Sequence, residues 1–126
     1  MRIAYFYNEE WEKDYVAKRF PEDIFNFIKG TTKDNAALHD PDVTVLSVFV
    51  NSPVGVDVLD RFPNIKFIVT RSTGYDHVDL AEAAKRGIII SNVPTYGEHT
   101  VAEFAMALLL SLSRRIVDAY SRIETT

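Results

Sequence analysis

Residues 66–79 read K-F-I-V-T-R-S-T-G-Y-D-H-V-D, an apolar run followed at once by polar residues. The apolar residues 67–69 form a short run that is typical of a strand buried on both faces of a parallel sheet. Polar residues and a glycine follow at once, a composition typical of a turn. Asp79 stands where its side chain can cap a helix that begins near Leu80. The stretch therefore predicts a strand, a polar loop and a helix in succession.

The same alternation of apolar runs and helical patterns continues on both sides of this stretch. Strands are predicted at 3–7, 24–28, 43–50, 66–70 and 88–90. Helices are predicted at 9–20, 34–38, 54–62 and 80–85, and prolines or a glycine follow them. Parallel strands need a crossover connection, so this alternation indicates a parallel sheet. We predict an α/β fold, a flavodoxin-like three-layer sandwich with helices on both faces of a five-stranded sheet of order 2-1-3-4-5.

The last part of the chain, residues 100–126, differs from the helices before it. Thr100 and Glu103 have the spacing of a capping box, which predicts that a helix begins at Thr100. This long C-terminal helix is predicted to run to about Arg122, and residues 101–112 are apolar nearly all round. A helix on the outside of a sheet needs only one apolar stripe. The helix is therefore either buried in the core or shared with another domain or subunit.

Composition excludes several classes of function. The chain has 126 residues and a formal charge of −4, without a basic cluster longer than a pair, so no nucleic-acid partner is expected. Its longest apolar run, residues 104–110, is much shorter than the roughly 18 residues of a membrane span. No cysteine occurs, which excludes thiolate chemistry and is typical of an intracellular protein, so we expect a cytoplasmic location. The three histidines lack metal-ligand spacing, and no metal is predicted.

Four polar loops follow the predicted strands, at 8–10, 51–54, 71–79 and 92–99. In an open α/β sheet, ligands bind at the carboxyl ends of the strands, where these loops meet. The backbone N–H groups of Ser72, Thr73 and Gly74 could form an anion-binding nest for a small carboxylate, with Gly74 adopting a positive φ. The alternative is a tight turn that serves only to connect the strand to the next helix.

Other polar side chains in these loops each allow two interpretations. Arg71 pairs with a substrate carboxylate, or it is a solvated or ion-paired residue at the strand end. Tyr96 donates a hydrogen bond to a ligand, or it packs its ring in the loop. His77 is expected to cap or to hydrogen-bond within its turn, and His99 has no evident carboxylate to orient it as a base.

Glycine spacing excludes one kind of site from this chain. The five glycines stand at positions 30, 55, 74, 87 and 97. No pair is close enough for the G-x-G-x-x-G turn or for a P-loop, whose backbone amides hold phosphates. The chain by itself therefore carries no recognisable phosphate cradle for a dinucleotide.

Five short motifs occur in a fixed order along the chain. They are F-P-N-I-K-F-I at 62–68, S-T-G-Y-D-H-V-D-L at 72–80, A-A-K-R-G-I at 83–88, S-N-V-P at 91–94 and T-V-A-E at 100–103. Their order and spacing resemble the N-terminal, substrate-binding part of the D-isomer-specific 2-hydroxyacid dehydrogenases. The R-S-T-G and N-V-P-T-Y segments are most similar to the D-lactate dehydrogenase branch. The resemblance covers essentially the whole chain.

This resemblance implies a parent enzyme that uses NAD to interconvert 2-oxo and D-2-hydroxy acids, such as pyruvate and D-lactate. In that family a Rossmann domain follows the long helix and carries both the dinucleotide fingerprint and the catalytic residues. We therefore expect a truncated substrate domain, with residues 1–99 as its flavodoxin-like part and residues 100–126 as the interdomain helix. It should be inactive alone, with no catalytic residue and no cofactor bound to this chain.

The resemblance also implies roles for individual residues. Substrate contacts are implied for Ser72, Thr73, Gly74, Tyr96, Asn51 and Val54, the last two as part of a cleft wall formed by residues 51–54. Contacts near the nicotinamide are implied for Thr100 and Val101. The apolar helix from Val101 adds the expectation of a homodimer, which could form by exchange of the C-terminal helix.

Two other function classes share the predicted strand order. A receiver-like signalling domain would need a phospho-acceptor aspartate after the third strand and a lysine after the last, but residues 50–52 and 91–93 contain neither. A flavodoxin-like carrier would need a Ser/Thr/Gly-rich phosphate loop after the first strand, where Asn8-Glu9-Glu10 stands instead. Both remain alternatives at this point.

Overall fold

The computed structural model describes residues 1–125, which form five strands and five helices. In chain order they are β1 (Arg2–Tyr7), α1 (Glu10–Arg19), β2 (Ile24–Lys29), β3 (Val45–Val48), α2 (Val56–Arg61), β4 (Phe67–Thr70), α3 (Leu80–Lys85), β5 (Ile89–Ser91), α4 (Glu98–Ser113) and α5 (Ile116–Glu124). The chain divides into a first compact unit, Met1–Pro94, and a second unit that begins at Thr95.

All five strands form one parallel sheet of order β2-β1-β3-β4-β5, which confirms the predicted fold class and strand order. The register places Ala4 beside Leu46, Leu46 beside Ile68, and Ile68 beside Ile90. Side chains alternate between the two faces of a strand, so this row of apolar residues lies on one face of the sheet.

That face carries the hydrophobic core. Helices α2 and α3 pack against it through Val58, Leu59 and Ala83, and Phe62 follows α2 into the same cluster. The rings of Phe62 and Phe6 meet edge to face, with their centroids 6.5 Å apart. Burial of these large side chains supplies the main driving force for folding of the first unit.

The opposite face of the sheet is covered less completely. Helix α1 lies on this side, where Val16 and strand residues such as Ile3, Tyr5 and Val45 line an apolar cleft of about 530 Å³. No residue of α1 is buried. Helices therefore occupy both faces, as predicted, but only the α2 and α3 face forms a closed core.

One predicted helix is wrong. Residues 34–38 were expected to form a short helix with Asp34 as its cap, but residues 32–37 form turns and Leu38 is irregular. The Asp34 carboxylate instead accepts hydrogen bonds from the N–H and the hydroxyl of Thr31, at 2.8 and 2.7 Å. Gly30, with φ of +91°, turns the chain just before this segment. Local hydrogen bonding by the aspartate thus competes successfully with helix formation.

The second unit also corrects a prediction. Helix α4 begins after Gly97 without a side-chain cap, so Thr100 lies inside the helix and the predicted capping box is wrong. The single helix expected to reach Arg122 is interrupted, because Arg115 adopts a left-handed conformation with φ of 52°. The N–H of Arg114 still bonds to Leu110 at 3.0 Å, and the chain then restarts as α5. Apolar periodicity predicts helical residues, but it does not reveal a one-residue break.

Apolar side chains of the second unit are exposed. No residue of α4 is buried, and most of its large apolar side chains are at least half exposed. They are Val101, Phe104, Met106, Leu108, Leu109, Leu110 and Leu112. Helix α4 is therefore not the buried core helix that was one of the two expectations. Within residues 1–125, no helix has both the length and the apolar character that a bilayer span requires.

The connection from β4 to α3 is held at both of its ends. Asp79 caps α3 as predicted, since its carboxylate accepts the N–H of Glu82 at 2.9 Å. A parallel bridge pairs Val54 with Val78. The N–H of Val54 donates to the carbonyl of His77 at 2.8 Å, and the N–H of Asp79 donates to the carbonyl of Val54 at 2.9 Å.

His77 has a buried side-chain nitrogen in this connection. Its Nε2 is shielded from solvent and has no hydrogen-bond partner among the described residues. Burial lowers the pKa of the imidazole below its usual value, and the nearby carboxylate of Asp76 only partly opposes this effect. Protonation would place a charge and an unpaired donor in a poorly solvated position.

Acidification is therefore expected to destabilise the fold through His77. The unfolded imidazole takes up a proton near its ordinary pKa of about 6.5, whereas the folded form resists it. The unfolded state binds more protons just below that pH, so the free energy of unfolding falls as the pH drops through it. Urea unfolding at about pH 7.5 and about pH 5.5 should show a smaller pH dependence for His77→Gln than for the wild type.

The control is His39→Gln, which removes a histidine that is exposed. Its unfolding free energy should follow the wild-type pH dependence. If His77→Gln and the wild type lose the same stability on acidification, the buried nitrogen is not the source of the effect.

Candidate functional site

Residues 72–74, which we name the amide loop, leave the carboxyl end of β4 and are fixed through their carbonyl oxygens. The carbonyl of Ser72 accepts the N–H of Val93 at 3.0 Å, and the carbonyl of Thr73 accepts the side-chain amide of Asn92 at 2.8 Å. The carbonyl of Gly74 accepts the Ser72 hydroxyl at 2.7 Å. A further bond from the Thr73 hydroxyl to the carbonyl of Val93, at 3.0 Å, ties the loop to the chain after β5.

The N–H groups of the same loop are unpaired. Across residues 1–125, no hydrogen bond uses the N–H of Ser72, Thr73 or Gly74. Thr73 and Gly74 are exposed, whereas Ser72 is buried. Buried backbone donors without an acceptor, such as the N–H of Ser72, are uncommon in folded proteins, and successive free N–H groups are typical of anion sites. The loop can therefore offer donors to a small anionic group.

Gly74 does not have the conformation that the sequence suggested. The positive φ angles among the described glycines belong to Gly30 and Gly87, so the expectation of a positive φ at Gly74 is wrong. A Cβ atom at Gly74 would meet only the Asp76 carboxylate within 4 Å, at 3.8 Å, which is an ordinary contact. The loop reaches its shape through side-chain hydrogen bonds instead. What the missing side chain does provide is open space beside the free amides.

The loop after β3 contains two other residues that were expected at the site. Asn51 is exposed, whereas the Val54 side chain is fully buried in the core. The backbone N–H and carbonyl of Val54 both form hydrogen bonds with the connection between β4 and α3, so Val54 helps to hold that connection in place. The loop is closed by a turn from Ser52 to Phe49, and Thr32 donates to the carbonyl of Pro53 at 2.6 Å.

The remaining expected residues lie on the second unit. Tyr96 precedes α4 and is 64% exposed. Thr100 and Val101 lie in the first turns of α4, where both are exposed. Of the predicted site residues, the structure brings together Ser72, Thr73 and Gly74 in the amide loop.

Arg71 is an ion-paired residue at the strand end, which agrees with one of its two interpretations, and its side chain is largely shielded from solvent. Its guanidinium lies 4.1 Å from the centre of the Tyr5 ring and donates to the Ser47 hydroxyl at 2.9 Å. It also donates to the carbonyl of Phe6 at 2.6 Å and pairs with Glu12 at 3.4 Å. Burial lowers the pKa of Arg71, against the opposing charges of Tyr5 and Glu12, and burial also raises the pKa of Tyr5. Strand alternation predicts that Arg71 lies on the same face as Val69, but it does not predict which residues surround the guanidinium.

Comparison with known proteins identifies the family. The profile of the family described as "D-isomer specific 2-hydroxyacid dehydrogenase, catalytic domain" matches residues 6–125. A "2-hydroxyacid dehydrogenase homolog 1" of Schizosaccharomyces pombe (strain 972 / ATCC 24843) is 37% identical over 129 residues, which cover 98% of this chain and 39% of that protein. A "Glyoxylate reductase" of Thermofilum pendens (strain DSM 2475 / Hrk 5) is 40% identical over 84 residues, which cover 67% of this chain and 25% of that protein.

Solved structures agree with this result. A D-lactate dehydrogenase from Aquifex aeolicus, complexed with NAD and lactic acid, shares the fold with a TM-score of 0.88 at 24% identity, over 98% of this chain and 37% of that one. The pyruvate reductase of Chlamydomonas reinhardtii gives a TM-score of 0.71 at 30% identity, over 100% of this chain and 38% of that one. The chain thus spans well under half the length of these relatives. It belongs to the D-isomer-specific 2-hydroxyacid dehydrogenase family, in the part that the family profile calls the catalytic domain.

Proposed function

We propose that this chain is the substrate-binding domain of an NAD-dependent D-2-hydroxyacid dehydrogenase. The whole protein would interconvert small 2-oxo acids and D-2-hydroxy acids, such as pyruvate and D-lactate. The observation that carries the proposal is the set of unpaired N–H groups in the amide loop, at the carboxyl end of β4. That edge of a parallel α/β sheet is where ligands of such folds bind.

The amide loop is assigned to the substrate carboxylate. Thr73 and Gly74 are exposed and would offer their N–H groups directly, and the N–H of the buried Ser72 is assigned as the third donor. Donors that are already held in place lose little conformational entropy when they receive an anion. We assign the Tyr96 hydroxyl to a second hydrogen bond to the substrate. Asn51 is assigned to the wall of the cleft. The buried Val54 is assigned to the same wall, where its backbone hydrogen bonds hold the loop after β3 against the connection between β4 and α3.

We also propose a boundary that divides the chain into two parts with different roles. Residues 1–99 form the substrate-binding part, and residues 100–126 form the interdomain helical segment. Thr100 and Val101 are assigned to the nicotinamide side, and a nicotinamide cofactor held elsewhere in the parent would supply or accept the hydride. Location in the cytoplasm is part of this proposal. The receiver-like and flavin-carrier alternatives are not favoured, because the family match spans residues 6–125.

Gly74→Ala tests the carboxylate site. The added methyl group has space within the chain and requires no change in φ, so the free energy of unfolding should change by less than about 0.5 kcal/mol. The methyl group would nevertheless occupy the space beside the free amides. Titration of the ¹⁵N-labelled chain with pyruvate should shift the amide resonances of the amide loop in the wild type and not in Gly74→Ala.

Methyl pyruvate is the matched ligand control, since it keeps the keto group and lacks the anionic carboxylate. It should leave the wild-type amide resonances unchanged. The proposal fails if pyruvate moves none of the amide-loop resonances, or if the ester moves them equally.

The isolated chain is predicted not to catalyse the reaction. Within residues 1–125, we assign no residue to hydride transfer or to proton transfer at the reacting carbon. A spectrophotometric assay with NADH and either pyruvate or glyoxylate should show no oxidation above the rate without protein. Oxidation that rises with the concentration of purified chain would refute the division between substrate domain and cofactor domain.

We also propose that the chain forms a homodimer through the apolar surface of α4, which could involve exchange of this helix between copies. Phe104 and Leu108 are four residues apart on one face and are 65% and 50% exposed. The double change Phe104→Glu with Leu108→Glu should therefore give a monomer, whereas the wild type sediments as a dimer at about 50 µM.

Ser121→Glu, an exposed change in α5, serves as the control and should leave the dimer intact. A wild-type chain that sediments only as a monomer would contradict the dimer without affecting the carboxylate site.

A further inference from the structure

The residue before the amide loop is tied to three other parts of the first unit. The backbone N–H of Arg71 donates to Val48 in β3 at 2.9 Å. Its side chain donates to the Ser47 hydroxyl of β3 and to the Phe6 carbonyl of β1, and it pairs with Glu12 of α1. The guanidinium also covers the ring of Tyr5. One side chain therefore joins β1, β3 and α1 at the point where β4 becomes the amide loop.

Glu12 extends this connection to a second loop at the same edge of the sheet. One oxygen of its carboxylate accepts the N–H groups of Asn8 and Glu9, both at 3.0 Å, and completes the capping box that starts α1. Its other oxygen faces Arg71. The side chains of both partners are largely shielded, 17% exposed for Glu12 and 21% for Arg71. Ion pairs that are partly withdrawn from water hold their geometry better than exposed ones.

The geometry of this cluster requires arginine. Acceptors on Phe6, Ser47 and Glu12 surround the planar guanidinium, which spreads five N–H donors in a fixed fork. A lysine ammonium is a single point with three donors and has no flat surface to stack on Tyr5. A lysine at this position would keep the charge but would lose the fork of donors and the stacking on Tyr5.

Hydrogen bonds hold the amide loop on its other side as well. The chain after β5 fixes the carbonyls of Ser72 and Thr73 through Val93 and Asn92. None of those bonds connects the loop to β1 or α1. The Arg71 cluster supplies the restraint in that direction, because its side chain leaves the backbone immediately before Ser72.

We propose that Arg71 is a positioning residue for the carboxylate site, one that holds the free N–H groups of the amide loop in place through its bonds to Phe6, Ser47 and Glu12. This proposal rests on the proposed function of the amide loop. Arg71 does not itself contact the substrate in this assignment. Its guanidinium lies on the α1 face of the sheet, where Tyr5, Ser47 and Glu12 surround it.

The test compares two shielded arginines. Arg61 in α2 has a side chain that is 13% exposed and donates to the carbonyls of Asn35 and Thr32 at 2.7 and 3.2 Å. It makes no bond to the amide loop. Arg71→Lys and Arg61→Lys each remove a guanidinium fork and keep the charge, and both are expected to lower stability in urea unfolding.

Only Arg71→Lys is expected to disturb the site. Its amide resonances for residues 72–74 should shift, its amide exchange there should accelerate, and its affinity for pyruvate should fall by at least about tenfold, because small misplacements of a binding group have large effects. Arg61→Lys should leave all three unchanged. Wild-type affinity and unshifted amide-loop resonances in Arg71→Lys would overturn the proposal.

If Arg71→Lys does not fold, Ser47→Ala removes one acceptor of the cluster and should shift the same resonances by a smaller amount; unshifted resonances in that variant refute the proposal. If the wild type fails to bind pyruvate, the proposed function fails, while the resonances and exchange rates of the amide loop still decide whether Arg71 positions it.

Discussion

The hydrogen bonds that hold the amide loop by its carbonyl oxygens are the interactions on which the candidate site depends. They form because β4 lies between β3 and β5, and all parallel strands send their connecting loops to the same edge. Asn92 and Val93 therefore reach the carbonyls of Thr73 and Ser72. A loop held in this way cannot turn its N–H groups back onto its own chain, and donors that are already oriented bind an anion without a further loss of conformational entropy.

Sequence patterns predicted the sheet well because its determinants are local and repetitive. Short apolar runs, the Asp79 cap and the glycine that follows α3 all act within a few residues, and each is found in the structure. The helix expected at Asp34 was wrong, because the Asp34 carboxylate bonds to Thr31 and thereby favours a turn over a helix. Arg115 shows another limit, because nothing in an apolar pattern marks one left-handed residue.

The candidate site was predictable in part for the same reason. The amide loop was expected from a strand end that is rich in hydroxyls and glycine, and its N–H groups have no acceptor within residues 1–125. The environment of Arg71 was not predictable, because its partners Phe6, Ser47 and Glu12 are distant in sequence. Long-range contacts of this kind depend on the register of neighbouring strands. Gly74 was misjudged because a glycine can be needed for open space as well as for backbone conformation.

The incomplete cover on the α1 face has a consequence for how the molecule opens. Helix α1 buries no residue and is secured mainly by its capping box, by the Arg71–Glu12 pair and by an exposed pair between Lys29 and Glu10. Elements with few buried contacts are the first to detach in sub-global fluctuations of a native protein. Partial unfolding would thus begin with α1 lifting away, while the β3–β4 centre and its packed helices persist. Through the Arg71–Glu12 pair, loosening of that helix would disturb the start of the amide loop well before global denaturation.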